Sequence, residues 1–245
     1  MPEKKTSQHG ASVTITLCGF LAAGGLIVWQ LRNIPALNNP TSLSVYDILQ
    51  KNFGLSAAGL RTGEWWQLLS YAFLHGSIWH LVANIVGLYI SAASLEQRIG
   101  KWALLCLLGL GTLAGAVGFL SSLSLDPRLP STALCLGASA SVMACLGTAA
   151  CFAPHERAAF WFFFIPLPIR AWWAFPITLT IIFCEGYFWP NTTAYGAHFG
   201  GFLAGVTNGW IMHNYLPTRS ASANNHFCSN TPKTEATPYG KPKSI

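Results

Sequence analysis

Residues Trp102–Leu125 read WALLCLLGLGTLAGAVGFLSSLSL, and no charged side chain occurs between Lys101 and Asp126. A run that apolar pairs its backbone groups internally as a helix, and it is long enough for a bilayer core, which takes roughly 20 residues. Five more candidates lie outward from it. Val13–Leu31 and Ile78–Leu95 precede it; Ala133–Ala153, Ala171–Trp189 and Ala194–Leu216 follow. The predicted fold class is all-α: a polytopic membrane protein with a six-transmembrane-helix bundle. Val13–Leu31 is not read as a cleaved signal peptide, because its apolar run is long and no A-x-A-like site follows it.

Composition agrees. The 245 residues are 52% hydrophobic and 9% charged, with a mean hydropathy of +0.41. Soluble domains carry about 25% charged residues, so neither a soluble globule nor a disordered chain fits. Seven cysteines, mostly set in apolar runs (Cys18, Cys106, Cys135, Cys145, Cys151, Cys184), read as packing residues rather than a disulfide framework. The net charge of +6 is a topology signal. With a cytoplasmic N-terminus, ten basic residues fall inside and only Arg32, Lys51, Arg61 and Arg128 outside, together the 14 present. The positive-inside rule puts both termini in the cytoplasm, and no nucleic-acid partner is expected. The organisation read from this is a cytoplasmic tail at 1–12, a membrane domain at 13–216 and a disordered cytoplasmic tail at 217–245. The loop 33–77 is the largest extramembrane element, and its Trp- and Leu-rich second half is expected partly in the interface. Phe160–Arg170 (FWFFFIPLPIR) has two prolines and no helical period, and reads as a membrane-surface connector.

Polar groups at membrane depth are costly and tend to be functional. His80 and Asn84, spaced i, i+4, share one helix face, which Gly87, Ser91 and Ser94 continue. Interhelical hydrogen bonding would explain them equally well. Ser139 lies in LCLGASASVMACLG, near the outer start of its helix, with Ser141 as a second candidate on another face. His198 lies in YGAHFGGFLAG, from which Gly201, Gly205 and Gly209 form a small-residue groove that admits a close neighbouring helix. A serine hydroxyl within reach of a neutral imidazole is an activated nucleophile, and Ser139 and His198 sit at similar depth. Of the eight acidic residues, Glu185 alone lies near that depth. It is a candidate orienter of the histidine, with a structural role at least as open, so the scarcity of acids favours a Ser–His dyad over a triad. Neither H-E-x-x-H nor any other metal-ligand spacing occurs; no metal and no cofactor are expected. Glu96 and Arg98 read as structural partners at the helix exit.

At these residues the chain resembles the rhomboid family of intramembrane serine proteases. GEWWQLLSYAFLHGSIWHLVAN (63–84) is similar to the family's H-x-x-x-N block with its preceding histidine, here His75. SLEQRIG (94–100) is similar to the E-x-R-x-G turn, GAS (137–139) to the nucleophile motif, and AHFGGFLAG (197–205) to the catalytic-histidine helix. The resemblance spans about Gly63 to Leu216. It implies Ser139 as nucleophile, His198 as general base and then acid, and His80 and Asn84 as oxyanion donors, helped by the Ser139 N–H. It implies a polar cavity open to the outside, and transmembrane protein substrates met within the lipid bilayer. Ala140, Met143 and Gln67 depart from the family's usual Gly, aromatic and Arg, and they motivate the alternative of an inactive pseudoprotease that binds transmembrane helices as chaperone or adaptor. A transporter is disfavoured, since no repeated half and only one intramembrane acid are found. Six helices without a large extra domain suit a bacterial inner membrane. The sequence specifies no oligomeric state and no individual substrate.

Overall fold

The computed structural model describes residues 12–34, 44–127, 129, 132–155, 157–162, 165–188 and 194–215. The tail readings at 1–11 and 217–245 lie outside them. The chain forms α1 (Ser12–Gln30), then three short helices, α2 (Val45–Phe53), α3 (Ala57–Arg61) and α4 (Gln67–Ser70). The bundle continues with α5 (Ile78–Ile99), α6 (Lys101–Leu125), α7 (Ser139–Phe152), α8 (Ala174–Phe188) and α9 (Ala194–Tyr215). It is a helical membrane bundle. α1, α5, α6 and Ala171–Phe188 are each long and apolar enough to cross a membrane.

The short elements follow from their caps. Ser44 and Asp47 form a reciprocal capping box that starts α2, and Ser56 accepts from Gly59 N to start α3. Ser77 accepts from His80 N at 3.1 Å to start α5. That helix ends at Gly100, whose φ of 83° suits glycine, and α6 begins at the next residue. Trp65, Trp66, Leu69, Phe73 and Trp79 in and after the first loop point outward, the residue types that gather at a membrane–water boundary.

Two expected elements differ. The fourth span begins at Ser139 rather than Ala133. Residues 133–138 stay outside the helix because Leu55 and Cys135 exchange backbone hydrogen bonds of 3.1 and 2.9 Å, and Gly137, at φ 111°, cannot be helical. The connector near 160–170 is a two-stranded antiparallel hairpin, β1 (Arg157–Phe162) with β2 (Ile165–Arg170), pairing Arg157 with Arg170 through Phe162 with Ile165. Pro166 and Pro168 are compatible with a two-stranded ribbon because, among the described residues, β2 pairs with β1 alone and its other edge needs no N–H donor.

One apolar cluster joins α1, α5, α6 and α7 through Leu21, Leu81, Leu88, Leu104 and Cys145. A second, through Leu55, Tyr71, Phe119, Cys135 and Ala197, ties the first loop to α6 and α9. The Tyr71 hydroxyl crosses that boundary, donating to the Thr112 carbonyl at 2.7 Å. α1 is fastened by Glu96, whose carboxylate accepts from Val13 N, Thr14 N and Thr14 Oγ1 at 2.9, 2.8 and 2.7 Å. The acid therefore satisfies the orphan donors of a helix N-terminus and complements its dipole.

Candidate active site

Helix α7 has 14 residues. At 1.5 Å per residue it spans about 21 Å, less than the roughly 30 Å thickness of a bilayer core. Its first residue is Ser139. The non-helical approach to it would be intolerable in lipid, but Cys135, Gly137 and Ala138 are buried, and Gly137 N donates to the Tyr71 carbonyl at 2.9 Å. The start of α7 is thus enclosed by protein.

His198 reaches it because α9 packs against α7 backbone to backbone. A Cβ at Gly201, Gly205 or Gly209 would collide with the carbonyl oxygens of Ala140, Ala144 or Thr148. The opposite face does the same against α6: side chains at Gly196 and Gly200 would strike the backbone of Gly118 and Ala114. The sequence-predicted small-residue groove is occupied by α7, and His198 at its mouth places Nε2 2.8 Å from Ser139 Oγ. His198 is buried and Ser139 half-buried.

His80 and Asn84 come to the same place from α5. A Cβ at Gly137 would lie 2.7 Å from His80 Nε2 and 3.6 Å from Asn84 Nδ2, so the absent side chain leaves both facing the turn before Ser139. Asn84 Nδ2 donates one hydrogen to the His80 carbonyl at 2.8 Å and has a second to offer. Ser141 N and Val142 N both donate to the Ala138 carbonyl, at 3.0 and 3.2 Å, so the N–H groups of Ser139 and Ala140 are the ones that precede any intrahelical partner and carry the positive end of the dipole. Two side chains and a helix start therefore converge beside the serine, a donor set suited to a developing oxyanion.

Glu185, on α8, also joins this group. Its Oε2 lies 2.7 Å from His198 Nδ1, on the opposite side of the ring from Ser139. The signal in the sequence was a lone acid in an apolar helix; what spacing did not supply was the packing of α8 on α9. Ser141 goes elsewhere: it is buried, donates to the Leu108 carbonyl at 2.9 Å and lies 2.7 Å from Thr112 Oγ1. His75, also buried, stacks edge-on with His80 at 5.2 Å between ring centres. A cavity of about 1150 Å³ between α6 and α9 has a mainly apolar lining and touches none of Ser139, His198, His80 or Asn84.

The departures have structural accounts. The Ala140 methyl is buried where Gly115 of α6 supplies the space, a side chain at 115 being excluded by it. Gln67 is fully buried and accepts from Ser56 N at 3.0 Å while donating to the Lys51 and Asn52 carbonyls and to Glu64, so it stitches α2, α3 and α4 together. Met143 sits half-buried one turn beyond Ser139.

Residues 62–215 match the Rhomboid domain. "Rhomboid protein 1, mitochondrial" of Saccharomyces cerevisiae is 29% identical over 205 residues, covering 83% of this chain and 54% of that protein. "RHOMBOID-like protein 12, mitochondrial" of Arabidopsis thaliana is 30% identical over 193 residues, 73% and 52% respectively. "RHOMBOID-like protein 5" of the same plant is 27% identical over 164 residues, 67% and 49%. The chain spans about half the length of these curated relatives. The domain match covers well over half the chain and contains Ser139, His198, His80, Asn84 and the glycine seam that joins α7 to α9: the chain belongs to the rhomboid family.

Proposed function

We propose that the chain is an intramembrane serine endopeptidase that hydrolyses peptide bonds in or near transmembrane segments of membrane proteins through a Ser139–His198 dyad. The observation that carries this reading is the 2.8 Å contact between Ser139 Oγ and His198 Nε2 at the start of a 14-residue apolar helix. Ser139 Oγ attacks the scissile carbonyl carbon and His198 Nε2 takes the hydroxyl proton. The tetrahedral oxyanion faces the Ser139 N–H, His80 and Asn84. As the C–N bond breaks, His198 returns the proton to the leaving amine, leaving an ester on Ser139. Water, deprotonated by the same nitrogen, attacks that ester. The new carboxyl product departs and the proton restores the serine hydroxyl. Water enters through a polar cavity open to the outer face. Substrates are transmembrane helices that unwind locally, because an intact helix engages its carbonyls in i→i−4 bonds.

The family is multi-pass and membrane-embedded. Both termini on the cytoplasmic side follows from the basic residues. A bacterial inner membrane draws no support from the relatives, two of which are named as mitochondrial.

The test is cleavage of a transmembrane reporter, with labelling by a fluorophosphonate located by mass spectrometry. Ser139→Ala and His198→Ala should each abolish cleavage, and label should sit on Ser139. Ser141→Ala should be far milder. His80→Ala or Asn84→Ala should each lower the rate by about 10²–10³. Unchanged cleavage in either dyad variant overturns the reading. No label on folded protein that still co-purifies with its substrate makes the chain a helix-binding pseudoprotease instead.

A further inference from the structure

We infer that Glu185 is a positioning residue for His198, setting the tautomer in which its Nε2 can act as base; this rests on the Ser139–His198 reading above. The imidazole is held from both ends, by Glu185 Oε2 at 2.7 Å on Nδ1 and by Ser139 Oγ at 2.8 Å on Nε2. An ionised carboxylate only accepts hydrogen bonds. The short contact on Nδ1 therefore requires the ring proton there, and Nε2 is left with its lone pair toward the serine hydroxyl. The other tautomer would set the Nδ1 lone pair against the carboxylate and offer Nε2–H where a base is needed.

The surroundings support a specific pairing. α8 (AFPITLTIIFCEGYF) holds no other charged residue, and an acid at membrane depth is expensive unless it is partnered. The Glu185 side chain is 25% exposed and that of His198 only 9%, so the acid reaches inward from the rim of the site to a buried ring. The groups facing His198 are Ser139 from α7, Glu185 from α8 and, farther off, His80 from α5, which interacts electrostatically with both His198 and Glu185. When His198 takes the serine proton, the imidazolium forms beside an anion already in place. Glu185 acts through the ring it holds and is a positioning residue.

The test uses the full-length protein in detergent, with a transmembrane reporter substrate and histidine ¹⁵N spectra. Wild-type protein should show His198 as the Nδ1–H tautomer. Glu185→Gln can donate to Nδ1, and it should shift the ring toward Nε2–H and lower kcat by about 10²-fold or more, with KM little changed. Glu185→Asp, which keeps the carboxylate, should recover part of the rate and the Nδ1–H signature. In the Ser139→Ala background, Glu185→Gln should cost nothing further. A Gln variant with wild-type kcat and an unmoved tautomer overturns the proposal, as does an Nε2–H tautomer in the wild type, which is readable even if the Gln variant does not fold. Failure of the dyad itself is a separate outcome, read as Ser139→Ala or His198→Ala retaining cleavage.

Discussion

Two helix seams in this bundle are built with opposite chemistry. α7 meets α9 through absent side chains: Gly201, Gly205 and Gly209 let the backbones touch, and side-chain hydrogen bonds join the seam at its ends, Ser139 with His198 at 2.8 Å and His213 with the Phe152 carbonyl at 3.4 Å, and between them, Thr148 Oγ1 to the Gly205 carbonyl at 3.1 Å. α1 meets α5 across the apolar cluster of Leu21, Leu81 and Leu88, with polar groups at its ends. Glu96 gathers three donors from the first turn of α1, and His75 sits buried near Gly25 and Trp29 toward the other end of the seam. Lipid tails are as apolar as leucine, so helices in a membrane gain little from apolar contact alone. Close packing and buried polar groups are the two remedies. The glycine seam sets distances to a fraction of an ångström, which a 2.8 Å serine–histidine contact needs. The polar seam fastens an outer helix and has no such tolerance to meet.

The largest expected effect is at the glycine seam. Gly205→Val would drive a side chain into the Ala144 carbonyl, force α7 and α9 apart and separate Ser139 from His198. Thermal melts in detergent should show a loss of about 4 kcal/mol or more, in the exceptional range for one substitution, and fluorophosphonate labelling of Ser139 should vanish. A variant that melts and labels like the parent would mean that the helices are not in backbone contact.

Acid should act on the polar seam. Burial, with a smaller push from His80, lowers the His75 pKa from 6.5 to about 4, and neither ring nitrogen has a hydrogen-bond partner among the described residues. The unfolded chain therefore binds this proton more readily than the folded one. The stabilisation is present above pH 6.5 and is lost as pH falls toward 4, at about 3 kcal/mol in full. His75→Phe should flatten the melting temperature between those pH values; an unchanged slope assigns the acid sensitivity to another group.

A smaller effect is expected from Glu96→Gln, which keeps the shape but removes the charge from the N-terminus of α1. About 2 kcal/mol should be lost, in the range of hydrogen bonds to charged groups, with Ser139 labelling at its normal rate. Labelling that falls with stability would show that the two seams are coupled.

Much of the site was legible because each part had a local signature. His80 and Asn84 lie one turn apart, Ser139 follows Gly137, and His198 heads a glycine series at helical spacing. What stayed illegible depended on long-range contacts. Ser139 is separated from Ser141 as the candidate nucleophile by which hydroxyl meets His198 and which meets Leu108, and no spacing along α7 contains that information. The start of α7 moved from Ala133 to Ser139 because Leu55, nearly 80 residues earlier, claims the backbone of Cys135. Gln67 read as a departure, yet it bonds to four other residues of the first loop.

The sequence by itself determined the bilayer as solvent and the positions of the few polar residues among the apolar segments, since hydropathy and helical period are properties of consecutive residues. Tertiary structure alone decided which polar residues meet. Glu185 stands 13 residues from His198 on a different helix, and their contact exists only because α8 packs on α9. An acid that composition made look isolated lies 2.7 Å from the histidine because helix adjacency is set by interhelical packing, which no window along the chain encodes.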